Sequence, residues 1–389
     1  MNKLKEKFNR RATLENLSYL IIFLLPTYLI RFDFFIPTNI LEVLILIFLV
    51  VSFLDKANWL KVKNFSKKNK KYLLGFSMIV VSFLVSSFVN DNILKGLGIV
   101  KSWLVIPFLF SMMVTIILEK EKRKNIFVVL YYSASVLASL GLIYIILGKL
   151  TYDGRLEILF NSPNYLAMYL IPGFIGGLLV AKKSLWAKSL PLGIILVALF
   201  FTQSYLAWIS LTIVICILIG SFKMSYKVAL AIILLAGGTL LFTALKIEKM
   251  KDIISFNERS SVASRVIIWQ SAGKILSENW FFGIGPSNFQ EKYLANQKYY
   301  PPYLEWAVPH PHSTYITLWL GGGIISLLAF LAMLVWWFKN FFVKNKKETI
   351  LGAVSLGILL YFLFHGVADT TYFKNDLAII FWLSFWSSL

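Results

Sequence analysis

Five stretches of this chain, 72–89, 98–118, 126–147, 228–245 and 315–338, run for eighteen residues or more with almost no charge. A helix that crosses the hydrocarbon core of a bilayer needs about 20 mostly apolar residues. The runs therefore dictate membrane-spanning helices. They are rich in Leu, Ile and Phe and do not alternate. That excludes an outer-membrane barrel, whose strands are about ten residues long with alternating polarity. Composition agrees: 58% of the 389 residues are hydrophobic and 15% charged, where a soluble domain would be about 25% charged.

Twelve spans are expected, at 17–31, 39–54, 72–89, 98–118, 126–147, 163–180, 190–203, 205–221, 228–245, 313–338, 350–367 and 376–388. The first follows a basic segment with Lys3, Lys5, Lys7, Arg10 and Arg11. It lacks a small-residue cleavage site and is read as an uncleaved helix rather than a signal peptide. With the N-terminus inside, the gaps that fall in the cytoplasm hold 25 of the 39 Lys and Arg residues. The short external loops hold only Arg31, Lys95, Lys149, Arg155 and Lys374. That asymmetry obeys the positive-inside rule. It also explains the net charge of +20 without nucleic acid, since basic gaps meet anionic headgroups. Cys216 is the sole cysteine, so neither an internal disulfide nor a cysteine-based metal site is possible. The expected fold is all-α: one polytopic transmembrane bundle over residues 1–389 with about twelve spans.

The stretch 190–221 is read as two short crossings broken at Thr202-Gln203-Ser204. Read as one crossing, it would reverse the side of everything after it. The lysines before it (Lys182, Lys183, Lys188) and after it (Lys223, Lys227) both favour the cytoplasm, and hence two crossings. The segment 246–312 is a long external loop of 67 residues, and loops of that length usually carry function. Within it, 264–280 reads as an amphipathic helix on the membrane surface, with Val266, Trp269, Gly273, Leu276 and Trp280 on its apolar side.

The loop ends Pro309-His310-Pro311-His312-Ser313 and then enters a span. Either histidine suits a general base or a phosphate contact, because imidazole titrates near neutral pH. A plain surface cap is the alternative. Arg265 opens the amphipathic helix, where it either snorkels or clamps a phosphate with its planar fork. Arg155 and Asn164 precede the span at 163–180, in Gly154-Arg155-Leu156 and Asn161-Ser162-Pro163-Asn164. Those residue types also suit a plain turn. Lys101 lies within a span, which marks it as a functional candidate, although it is close enough to an end to snorkel. His365, Asp369 and Lys374-Asn375-Asp376 form an external polar cluster, for which structural pairing is expected.

Several of these strings together resemble one family. Ser264-Arg265 with Trp269, Gly283-Ile284-Gly285 with Phe289, and His310-Pro311-His312-Ser313 with Gly323 are similar to the C-terminal signature of the O-antigen ligase and O-antigen polymerase superfamily. The strings at 154–164 and 369–376 are similar to further motifs of that family. The resemblance implies a metal-independent, inverting transfer of glycan from an undecaprenyl-pyrophosphate carrier to a glycan or lipid-glycan acceptor. The reaction would occur at the external face of a bacterial cytoplasmic membrane, on the C-type glycosyltransferase architecture, with no cofactor. It makes His312 and Arg265 catalytic, and Arg155, Asn164, Lys101, His310 and Trp269 substrate-binding. The chain departs from the family at Ser204-Tyr205, where a Ser-Arg is common; Arg155 or Lys101 is expected to substitute.

Two rivals remain at this level. A transporter or flippase would carry an inverted repeat and paired intramembrane charges, and the sequence displays neither. A metal-dependent glycosyltransferase would need paired acids in an external loop, but Asp33 stands without a paired acidic motif after it.

Overall fold

The computed structural model describes residues 2–34, 36–180, 185–222, 261–301, 308–343 and 349–389. Among these it is almost wholly helical. Helix α1 (Asn2–Phe23) starts inside the basic segment and stops at Phe23. Pro26 then opens a 3-10 turn, Leu25–Leu29, because proline has no N–H to continue the α-helical ladder. An antiparallel hairpin follows, β1 (Arg31–Phe34) and β2 (Ile36–Asn39), with Arg31 opposite Asn39. The first expected span, 17–31, is therefore not one continuous helix. Asn39 caps α2 (Ile40–Phe53) by accepting from the Glu42 N–H at 2.9 Å.

The remaining helices are α3 (Lys56–Lys68), α4 (Lys70–Val89) and α5 (Ile93–Ile117), the last with a π-helical turn at Val100–Val105. Then come α6 (Lys124–Ile146), α7 (Pro163–Val180), α8 (Leu185–Thr202) and α9 (Tyr205–Phe222). Helices α10 (Ser261–Asn279), α11 (Phe289–Gln297), α12 (Thr314–Val343), α13 (Ile350–His365) and α14 (Asn375–Ser387) complete the set. Six of the described helices, α4, α5, α6, α7, α9 and α12, are long and apolar enough to cross a membrane. Shorter apolar helices are α2, α13 and residues 189–202 of α8. The expected span at 228–245 lies outside the described residues. The stretch 190–221 forms two helices, separated at Gln203, whose φ is +48°.

The loops expected on the outside gather at one end of the bundle. Arg155 Nε donates to Thr202 O (2.8 Å), Asn90 Nδ2 to Gly283 O (3.3 Å) and Lys101 Nζ to Pro37 O (2.7 Å). Gaps expected inside meet at the other end, where Arg11 pairs with Glu119 (2.9 Å) and Lys122 with Glu15 (2.7 Å). Small residues let helices close up in between. A Cβ at Gly176 or Gly177 of α7 would meet Phe127 and Tyr131 of α6, the tight approach favoured between helices in lipid. Helices α13 and α14 are buried nearly all round, as befits helices with no polar face.

The long loop is not structureless. It carries α10 and α11, and these build a second, smaller core. Ile268, Ala272, Ile275 and Leu276 pack with Ile284, Phe289, Tyr293 and Leu320. The buried face of α10 is turned roughly a third of a rotation from the expected one, counting 3.6 residues per turn. Val266 and Trp280 are exposed, and so is Gly273. The aliphatic residues pack onto α12, while Trp280 leaves the helix to join the loop that follows.

That loop locks into a break in α12. Gly323 has φ +72° and ψ −178°, a conformation essentially confined to glycine. Ile284 N donates to Leu320 O (2.7 Å) and Ile324 N to Trp280 O (3.2 Å), so backbone groups freed by the break find partners. Cβ atoms at Gly283 and Gly323 would run into the facing backbone, at Leu320 O and Phe281 O respectively. Gly321 and Gly322 abut the ring of Phe83 on α4.

Gly323→Ala should lower the melting temperature of the detergent-purified protein clearly, since strain alone costs roughly 1–3 kcal/mol and the clash adds to it. Gly193→Ala, with open space around its Cβ, should leave the melting temperature unchanged. Equal melting of the two variants would contradict the docking of the loop into the helix break.

Candidate functional site

The loop between α13 and α14 grips the start of α12. Thr314 N donates to Gly366 O (2.8 Å) and Asp369 O (3.1 Å), and the Thr314 hydroxyl meets that of Thr371 (3.2 Å). This fixes Asp369, whose side chain is 3% exposed. Its Oδ1 accepts from Thr370 N (2.8 Å) and lies 3.3 Å from His312 Nδ1. Its Oδ2 accepts from Asn164 Nδ2 (3.2 Å) and lies 3.7 Å from Arg265 Nη2. Burial alone would push the carboxyl up. The hydrogen bond from His312 and the charges of His312 and Arg265 outweigh burial, and hold Asp369 well below the usual carboxylate range.

His312 sits at φ +47°, in the left-handed region that costs a non-glycine residue energy. With Nδ1 donating to the carboxylate, the ring presents its Nε2 lone pair outward. No described group hydrogen-bonds to that Nε2, and the side chain is 30% exposed. His310 differs. Its Nε2 lies 2.6 Å from Tyr165 Oη and its Nδ1 3.0 Å from Thr370 Oγ1, so both nitrogens are occupied. Burial, with a smaller contribution from His312, pushes its pKa down to about 4. The two imidazoles stand 4.7 Å apart, centroid to centroid.

Arg265 Nε donates to Ala368 O (2.9 Å), placing the guanidinium beside Asp369. One turn on, Trp269 Nε1 donates to Pro311 O (2.9 Å) and pins the segment that carries both histidines. Arg155 comes from the opposite loop. Its Nε donates to Thr202 O (2.8 Å) and its Nη2 to Asn164 Oδ1 (2.8 Å). Burial lowers its pKa, and Asp153, Tyr205 and Arg265 all act on it electrostatically. Asn164 thus bridges Arg155 and Asp369, and six of the seven candidate residues fall into one contiguous cluster.

Lys101 belongs to a neighbouring network. It lies on the π-helical turn of α5 and pairs with the buried Glu42 (2.7 Å). Glu42 Oε1 in turn accepts from Asn375 Nδ2 (2.9 Å). Among the described residues, no hydrogen bond joins Lys101 to Asp369. A paired charge within the apolar segments is therefore present, contrary to the reading of the sequence, and it ties α2, α5 and α14 together. Beside His310 opens a cavity of about 240 Å³, lined by Phe83, Ile99, Trp103, Phe289, Leu320 and Phe373.

The residue undervalued in the sequence is Asp369, placed there in structural pairing. Its signals were its place in an external polar cluster and in the family-like string 369–376. Tyr165 and Thr370, which hold His310, carried none.

Fold and site together define a polytopic helical membrane protein with a basic, histidine-bearing site where its loops meet. Residues 190–331 match the family model for O-antigen ligase, which supports the likeness to the O-antigen ligase and polymerase superfamily of membrane proteins. The matched stretch runs from α8 through the break in α12 and includes Arg265, His310 and His312; Arg155, Asn164 and Asp369 lie outside it. No match to the chain was found among curated proteins.

The lowered pKa of His310 makes folding pH-dependent. An unfolded histidine titrates near 6.5, whereas the folded one titrates near 4. Between these values the unfolded chain binds the extra proton, so stability rises with pH there and is lost as pH falls. The melting temperature should drop from pH 6.5 to 4 more steeply in the wild type than in His310→Gln. Parallel curves would show that His310 is not held neutral.

Proposed function

We propose that the protein is a metal-independent, inverting glycosyltransferase. It transfers glycan from an undecaprenyl-pyrophosphate carrier to an acceptor hydroxyl at the external face of a bacterial cytoplasmic membrane. The observation that carries this reading is the His312 ring, held through Nδ1 by Asp369 with Nε2 left for substrate. The match of residues 190–331 to the O-antigen ligase family model supports the substrate class.

The acceptor oxygen attacks the anomeric carbon as the bond from that carbon to the pyrophosphate oxygen breaks. The pyrophosphate departs with the electron pair, and the acceptor proton passes to His312 Nε2. A positioned base contributes about 10²–10⁴ in rate. Asp369 stabilises the imidazolium that forms. The developing charge on the leaving group needs preorganised cations, and Arg265 and Arg155 stand together for that purpose. Arg155 reaches Thr202 O, beside Ser204-Tyr205, where the family often has an arginine. It is the better substitute, since Lys101 already pairs with Glu42. The aromatic cavity beside His310 suits the first isoprene units of the carrier.

Incubation of the purified protein with a pyrophosphate-linked oligosaccharide tests the function. A ladder of products marks a polymerase, and one shifted band with a second acceptor marks a ligase. No product with either acceptor would refute transfer. His312→Ala should abolish turnover, while His310→Ala should retain a measurable fraction; the reverse order would exchange their roles. Arg265→Lys keeps the charge but loses the planar fork, and should cut turnover about tenfold or more at normal membrane insertion.

A further inference from the structure

Across the cluster from Arg265 and Arg155 lies a cation that the transfer chemistry above does not use. Lys374 precedes α14 and is half-buried. Its Nζ stands 3.2 Å above the centroid of the Tyr165 ring, the tyrosine whose hydroxyl meets His310 Nε2. The ammonium has three donors, yet it forms no hydrogen bond or ion pair with any described group. Lys101, by contrast, has its carboxylate in Glu42. Buried charges are as a rule paired or bound to a ligand. The surroundings of Lys374 are also incompletely satisfied: Tyr28 Oη and Asp376 Oδ2 are buried without partners. Asp376 is close enough to act on Lys374 electrostatically but does not pair with it. Arg31 on the β1–β2 hairpin adds a second positive charge nearby, opposing that of Lys374.

We infer that Lys374, seated on Tyr165 and flanked by Arg31, binds an anionic oxygen of the substrate at a subsite separate from the Arg265–Arg155 clamp. The chemistry fits a phosphate of the lipid carrier or a carboxylate on an acidic sugar. Either would meet a cation held by the aromatic face of Tyr165, whose hydroxyl meets His310. The inference rests on the transferase reading for the word substrate, but the binding it requires is measured without turnover.

Burial pushes the Lys374 pKa down to about 8. The charged and titratable groups around it are Asp376, Arg31 and Asp369, with Tyr165 beneath and His310 beyond. Anion affinity at this subsite should thus fade as pH rises through that value.

The test is equilibrium binding to the full chain in detergent, with two probes: undecaprenyl pyrophosphate, and a hyaluronan tetrasaccharide set against neutral chitotetraose. Loss of a charge-assisted hydrogen bond should weaken binding roughly tenfold or more. Lys374→Met should show that loss for one anionic probe at an unchanged melting temperature, and Lys374→Arg should restore it and remove the decline above pH 8. Loss for the lipid places the subsite on a carrier phosphate; loss for the tetrasaccharide alone places it on the sugar. Unchanged affinity for both anionic probes, or a lowered melting temperature with unchanged affinity, would overturn the inference and leave Lys374 a structural partner of Tyr165. Failure of the transferase reading would appear separately, as absent turnover in the wild type.

Discussion

A single buried carboxylate organises this end of the molecule. Asp369 is held by the backbone of Thr370, by Asn164 from α7, by His312 from the loop before α12 and by Arg265 from α10. These partners lie up to 205 residues from it in sequence. A carboxylate out of water costs several kcal/mol unless it is paired and hydrogen-bonded. Each partner therefore constrains the others, and removing one leaves a buried charge exposed to the full desolvation penalty. The same carboxylate fixes the tautomer of His312 and the place of Arg265. Packing of the four segments and chemistry of the site thus rest on one group.

The second constraint is backbone fit. Helix α12 breaks at Gly323 so that the loop after α10 can dock, and Asn90 and Asn92 clamp that loop from the α4–α5 turn through Gly283 O and Pro286 O. Trp269 then ties α10 to Pro311. The result is a rigid frame for a histidine at a strained φ. Strain of this kind persists where the surroundings over-determine it and gathers at functional sites.

Much of the architecture was legible from the runs of apolar residues, because the length of a span is set by the bilayer and not by its neighbours. Details set by neighbours were not. Helix α1 ends at Phe23 because Pro26 interrupts a run that hydropathy alone leaves whole. The buried face of α10 was read in part: Leu276 and Trp269 pack as expected, but Val266 and Trp280 are exposed, while Ile268 and Ile275 join the core that meets α12. At the site, Arg265 and the two histidines were legible as residue types at the end of a long loop. Their convergence with Arg155 and Asn164 was visible only through family resemblance. The pairing of His312 with Asp369 spans 57 residues, and no local pattern encodes it. The Lys101–Glu42 pair joins two helices, and the sequence marked Lys101 but not its partner.

The charge of Asp369 orients both His312 and Arg265, and one substitution isolates it. Asp369→Asn keeps the shape of the side chain and its contact with Asn164, but removes the charge that orients His312 and Arg265. Glycan transfer from a pyrophosphate-linked donor should fall at least ~10²-fold, the lower range of what a positioned base supplies. The variant should still insert and should still bind undecaprenyl pyrophosphate. Transfer within about threefold of wild type would contradict the central role given to this carboxylate.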